Sequence, residues 1–173
     1  NLGNHFFVIN EMLPAIFLDR DGVINQERKD YVKNLTEFKI FDGVAEAIVL
    51  LRKKNFLIVI ITNQSAINRK LLDVKTLENI HKYFQEYLKS NNTFIDAIYY
   101  CPHLPEENCF CRKPKPGLIL KAAEDLKIDL KKSWMIGDLK TDIDAAQSAG
   151  CNSILLKKNQ KLLDVIKEFI NSF

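Results

Sequence analysis

The feature that most constrains this chain is the apolar run Ala15-Ile16-Phe17-Leu18, which ends abruptly in Asp19-Arg20-Asp21-Gly22-Val23. An unbroken apolar run of this kind reads as a strand buried on both faces, the pattern of a parallel sheet covered by helices. At the carboxyl end of such a strand, Asp19 and Asp21 would enter one crevice. Carboxylates two residues apart repel each other, so a cation or a division of labour must relieve the pair. Both point to Mg²⁺ and to acid–base chemistry at phosphorus. Asp19 is then a nucleophile forming an aspartyl-phosphate, and Asp21 the group that protonates the leaving oxygen and later activates water. A solvated acidic turn is the plain alternative for this motif alone. A calcium loop fits less well, because the glycine follows Asp21 directly and a strand, not a helix, precedes it.

The remaining chain alternates in the same sense. After a polar loop over 24–33 and a short extended piece at 38–41, a helix is expected over 44–54, with Val44, Ile48 and Leu51 at helical spacing. A second buried strand covers 56–61 and a long amphipathic helix 74–89. A third strand covers 95–100. A helix follows over 118–126, set by the prolines before it, then a fourth strand over 134–136. A helix over 141–149 ends at Gly150. A fifth strand at 153–156 and a closing helix at 162–169 complete the pattern. This is an α/β, Rossmann-like, doubly wound parallel sheet. Asp19, Asp21, Thr62, Cys101 and Asp138 all fall at strand ends, so their motifs converge on one crevice.

At 173 residues with a net charge of +3, the chain reads as a single domain that needs no disulfide support. The mild charge does not call for a nucleic-acid groove; a small anionic substrate is enough. The longest apolar run is far too short for a membrane span, and residues 1–11 read as a possible extension ahead of Met12. A cytoplasmic monomer is expected. His5 and His81 carry no functional signal, and His81 is read as surface or core filling.

Thr62 offers a hydroxyl, and the turn Asn63-Gln64-Ser65 after it offers amides, to a phosphate oxygen; a helix cap is the plainer reading. In Arg112-Lys113-Pro114-Lys115-Pro116-Gly117, one lysine could hold phosphoryl oxygens and keep Asp19 ionised. Spacing leaves Lys113 and Lys115 as alternatives. Asp138 leaves the fourth strand, and Asp142 lies one helical turn further on, as a supporting acid. Asp19, Asp21 and Asp138, with a backbone carbonyl and waters among the donors, suit Mg²⁺.

Three of the four cysteines lie with a histidine in eleven residues, as Cys101, His103, Cys109 and Cys111. Three thiolates and an imidazole complete a closed tetrahedral site for Zn²⁺. No ligand position remains for water. The metal is therefore assigned to folding the loop that carries Arg112 and Lys113, in a reducing compartment. Cys151 is read as a small core residue.

Together, Phe17 to Asn25, Thr62-Asn63-Gln64-Ser65, the Cys/His loop running into Arg112-Lys113-Pro114, and Gly137-Asp138 resemble the haloacid dehalogenase superfamily of Mg²⁺-dependent phosphatases, over nearly the whole chain from Pro14. With Tyr31-Val32 and Phe41-Asp42-Gly43-Val44, the resemblance narrows to its heptose bisphosphate phosphatases. It implies a core without a large cap domain and removal of one phosphate from a heptose bisphosphate, on the way to nucleotide-activated heptose for lipopolysaccharide. It also implies Lys113 rather than Lys115 as the site lysine, and Arg112 and Tyr31 as substrate contacts. The histidinol-phosphatase group, which shares the zinc loop, is the near alternative. A nucleic-acid end phosphatase and a phospho-accepting receiver module, which would not turn over, are more distant ones.

Overall fold

A computed structural model describes residues 11–172. His5 and nearly all of the possible N-terminal extension lie outside those residues. Five strands alternate with five helices: β1 (Ala15–Leu18), α1 (Val44–Lys53), β2 (Leu57–Asn63), α2 (Val74–Ser90), β3 (Ala97–Cys101), α3 (Gly117–Leu126), β4 (Trp134–Gly137), α4 (Lys140–Ala149), β5 (Asn152–Leu155) and α5 (Leu162–Ile170). The strands form one sheet in the order β3-β2-β1-β4-β5, parallel throughout. The expected doubly wound α/β sheet is thus the observed one.

Because side chains alternate across a strand, each strand feeds two cores. Ile16, Leu18, Ile58, Ile60 and Ile136 pack on one face with Ile48 of α1, Phe84 of α2 and Ile166 of α5. Phe17, Val59, Ile61 and Met135 pack on the other with Ile119 of α3 and Ala145 of α4. All four residues of β1 are fully buried, which accounts for the unbroken apolar run. Among the described residues, no helix is long and apolar enough to cross a membrane.

Regular pairing of β1 stops at Leu18, where the apolar run ends. The Arg20 carbonyl there accepts from the amides of Val23, Ile24 and Asn25, which turns the chain out of the sheet. The 38–41 segment forms no strand of its own. Ile40 makes an isolated antiparallel bridge to Asn25, and Gln26 N donates to Lys39 O, so the segment only braces the loop that follows Asp21.

The chain leaves β1 toward β2 and β3 on one side, then crosses to β4 and β5 on the other. The strand order therefore reverses beside β1. In an open parallel sheet, this is where a crevice opens beyond the carboxyl ends of the strands. Asp19 lies one residue past β1 and Asp138 one past β4.

Candidate active site

Asp19 is 6% exposed, and its amide is tied to the Ile136 carbonyl across the β1–β4 seam at 3.0 Å. Facing it is Lys113, 3% exposed, whose Nζ lies 2.9 Å from Asp19 Oδ1 and 2.6 Å from Asp142 Oδ1, and donates to the Ile61 carbonyl at 2.8 Å. A buried ammonium needs such company, because desolvation without compensation would neutralise it. The two carboxylates hold the Lys113 pKa above its usual value in spite of burial. Lys115 instead reaches out to the exposed Asn108. The structure therefore separates the two lysines that spacing left open.

Asn63 fixes the Lys113 backbone. Its Nδ2 donates to Lys113 O and its Oδ1 accepts from Lys113 N, both at 3.1 Å. The side chain expected to meet substrate thus clamps the lysine loop to the end of β2.

Carboxylate oxygens of Asp19, Asp138 and Asp142 come within 4.8 Å of one another. Burial, with the Asp142 charge next, raises the Asp138 carboxyl to about 6, and its Oδ1 is buried with no hydrogen-bond partner. Burial raises Asp19 to about 7, against the pull of Lys113. An orphaned buried oxygen among three acids is the kind of donor set that a hard divalent cation fits. Gly22 makes this possible: at φ +87°, a Cβ there would lie 2.1 Å from Asp138 Oδ2.

The Asp21 carboxylate is not part of that cluster. It accepts from Arg20 Nη2 at 3.1 Å through both oxygens, from Gln64 Nε2 at 2.8 Å and from Asn25 Nδ2 at 2.8 Å. The expectation that it joins Asp19 and Asp138 as a metal ligand is corrected to this extent: its side chain is held in place by donors. Asp142, expected only as support, stands within the acidic cluster and also accepts from the Leu139 amide at the start of α4. Gln64 also donates to Thr62 Oγ1 at 2.9 Å, so Thr62 and Asp21 are registered by one amide. Arg20 and Asn25 were missed by the sequence reading. The burial of an arginine between two acids has no signature in its local sequence.

Asp19, Asp21, Gln64, Lys113 and Asp142 line a cavity of about 410 Å³ that also receives Tyr31, Ser65, Arg69 and Arg112. A larger hollow, about 590 Å³, borders Gly22 and Asp138 but includes neither Asp19 nor Lys113. The smaller one holds Asp19, Asp21 and Lys113, and Asp138 borders the larger. Arg112 Nη1 donates to the His103 carbonyl at 3.1 Å, which ties it to the Cys/His loop.

In that loop, Sγ atoms of Cys101, Cys109 and Cys111 lie 3.2–3.5 Å apart, and His103 Nδ1 lies 3.5 and 3.2 Å from Cys101 and Cys111. Four soft donors around one point form a tetrahedron; Zn–S bonds of about 2.3 Å would set them only slightly wider. Burial pushes the Cys101 thiol up. Burial opposes ionisation of Cys109 as well, but hydrogen bonds from Cys111 and Cys101 bring it down to about 7. His81, read as carrying no signal, packs its Nε2 3.3 Å from Arg20 Nη1, and burial pushes its pKa down to about 3. It is therefore a neutral acceptor behind the Asp21 clamp. Cys151 packs at the edge of the second core, as expected.

The chain is 44% identical over 147 residues to the D-glycero-beta-D-manno-heptose-1,7-bisphosphate 7-phosphatase of Helicobacter pylori strain J99, covering 84% of each protein. A family model described as HAD-hyrolase-like matches residues 110–169. The chain belongs to the haloacid dehalogenase-like hydrolases. To the enzyme of the same name from Escherichia coli K12 it is 38% identical over 156 residues, 86% of this chain and 81% of that one. In three dimensions it resembles the D,D-heptose 1,7-bisphosphate phosphatase of B. bronchiseptica, solved with magnesium and phosphate. The TM-score is 0.86, at 32% identity over 93% of this chain and all of that one. The resemblance drawn from the motifs is thus the family in which the chain falls.

Proposed function

We propose that this haloacid dehalogenase-like hydrolase is a phosphatase that removes the 7-phosphate of D-glycero-β-D-manno-heptose 1,7-bisphosphate. The observation that carries the chemistry is the buried Asp19–Lys113–Asp142 group beside the partnerless oxygen of Asp138, at the floor of a cavity lined with arginines. The named activity of the relatives and of the B. bronchiseptica enzyme supports the substrate. It also favours that substrate over histidinol phosphate.

Asp19, Asp138 and the neighbouring Asp142 would hold Mg²⁺, which when bound neutralises phosphoryl oxygens and favours ionised Asp19. The Asp19 carboxylate attacks phosphorus and the P–O bond to the sugar breaks, leaving an aspartyl-phosphate. Lys113 Nζ, already between Asp19 and Asp142, is placed to meet charge on the transferring group, and the Thr62 hydroxyl to donate to it. Asp21, oriented by Arg20, Gln64 and Asn25, protonates the leaving sugar oxygen. It then accepts a proton from the water that cleaves the acyl phosphate, which returns Asp19. Cys101, His103, Cys109 and Cys111 would hold a structural Zn²⁺ that stiffens the loop presenting Arg112 and Lys113. The sugar product keeps its anomeric phosphate, as a later nucleotide-activation step requires.

The deciding experiment is a turnover screen of the purified protein with Mg²⁺ across heptose 1,7-bisphosphate, other sugar phosphates and histidinol phosphate. The highest kcat/KM is expected for the heptose bisphosphate. A higher value for histidinol phosphate would overturn the substrate while leaving the catalytic residues standing.

A further inference from the structure

Besides Lys113, the cavity above Asp19 is lined by Arg28, Lys29, Arg69 and Arg112. Lys113 is neutralised by Asp19 and Asp142, and Arg28 by Asp30 and Glu37. Arg69 lines the same cavity, is exposed, and makes no ion pair with any carboxylate among the described residues. Its guanidinium lies over the Tyr31 ring, 5.8 Å from the centroid.

Both partners are held on stiff backbone. The turn after β2 is closed by Arg69 N to Ser65 O at 3.0 Å and by Leu71 N to Ala66 O at 2.9 Å, around a fully buried Ala66. Tyr31 sits at φ +65°, a left-handed conformation rarely kept by an aromatic residue unless its surroundings impose it. Its amide donates to Arg28 O at 3.1 Å, its carbonyl accepts from Lys33 Nζ at 3.1 Å, and Val32 beside it is buried. The ring is thus a platform from which the planar fork of Arg69 keeps its donors free for an oxyanion. Arg112, by contrast, already has one nitrogen committed to the His103 carbonyl.

We propose that Arg69, seated on Tyr31, is a specificity-determining residue that grips the second phosphate of a sugar bisphosphate while the first is held at Asp19. The inference rests on the sugar-bisphosphate reading of the site. It adds an anion subsite on the β2 side of the cavity, where Asn68, the neighbour of Arg69, donates to Glu107 of the loop that leads to Arg112.

The test compares two substrates that share the reacting 7-phosphate ester, heptose 1,7-bisphosphate and heptose 7-phosphate, with wild-type protein, Arg69→Ala and Arg69→Lys. A charge-assisted bidentate contact corresponds to about 10- to 100-fold in kcat/KM. Arg69→Ala is expected to lower kcat/KM for the bisphosphate by that factor, mostly through KM. The loss on the monophosphate should be much smaller, so the bisphosphate preference falls at least about tenfold. Arg69→Lys keeps the charge without the fork and should fall between. Tyr31→Leu, which removes the platform, should reproduce part of the loss. Wild-type activity on the bisphosphate with an unchanged preference in Arg69→Ala, or equal losses on both substrates, overturns the subsite alone. A wild-type protein that turns over other phosphate esters but not the bisphosphate overturns the function and the subsite together.

Discussion

Replacing Lys113 by Met keeps most of the side chain's volume and removes its charge. In the native protein the ammonium lies 2.6 Å from one buried carboxylate oxygen and 2.9 Å from another. At an effective dielectric near 20, each such pair attracts by about 6 kcal/mol. Desolvation of the three groups opposes this by several kcal/mol per ion, so the gross figure is not the effect of mutation. Deleting one partner of a buried ion group leaves the others uncompensated and costs about 3–5 kcal/mol. With a urea m-value of about 2 kcal/mol/M, the unfolding midpoint should fall by about 1.5–2.5 M. The measurement belongs at pH 8 rather than lower, because Lys113 is what holds the Asp19 carboxyl down at about 7, and without it that carboxyl sheds its charge by taking up a proton more readily as pH falls. Adding Asp142→Asn to the Met variant removes one stranded charge and should restore at least about 1 kcal/mol, a sign that only direct coupling produces. Turnover in Lys113→Met should drop about 10²–10³-fold, as when one preorganised donor to transition-state charge is lost. A Met variant within about 1 kcal/mol of wild type at pH 8, or a double variant less stable than the single one, would refute the electrostatic argument.

Asp21→Asn should reduce kcat by about 10²–10⁴-fold through loss of proton transfer, and should also lower urea stability because it leaves the buried Arg20 without its carboxylate; steady-state kinetics on folded protein free of wild-type contamination decides. Gly22→Ala places a Cβ against Asp138 Oδ2 at a positive φ, so it should cost about 1–3 kcal/mol and weaken Mg²⁺ activation, read from the Mg²⁺ concentration at half-maximal rate. Cys109→Ser should lower bound zinc from near one equivalent by elemental analysis and reduce thermal stability, and a metal-free wild-type protein with full activity would contradict the structural role. Burial lifts the Asp19 and Asp138 carboxyls to about 7 and about 6, above the ordinary aspartate value of 3.8, so the folded state binds more protons than the unfolded one. Without added Mg²⁺, their contribution to stability should therefore fall as pH rises from about 4 to about 7. Asp30, held down at about 2 by Lys33 and Arg28, acts oppositely and only below about pH 4. Melting curves should show Mg²⁺ raising Tm more at pH 8 than at pH 5.

The sequence by itself determined whatever is decided within a few residues of chain. Alternating apolar runs and amphipathic stretches were enough for the strands and helices, because side-chain period follows backbone geometry. Asp19-x-Asp21 at the end of a buried run had to open into a crevice. Cys101, His103, Cys109 and Cys111 are so close in sequence that a single loop suffices to bring their donors together. Tertiary structure decided what faces what across that crevice. Lys113 and Lys115 are equivalent by spacing, and only the grip of Asn63 on the Lys113 backbone turns one inward and leaves the other on Asn108. The Asp21 side chain reads as a metal ligand until Gln64, from the turn after β2, is seen to donate to it beside its near neighbours Arg20 and Asn25. Arg69 is not singled out by the sequence, and it meets the Tyr31 ring only because the turn after β2 is laid beside it. Each of these depends on the strand order β3-β2-β1-β4-β5 and on the path of the loops above it. Local spacing limits which atoms of one segment can meet, but segments far apart in the chain meet where global packing puts them.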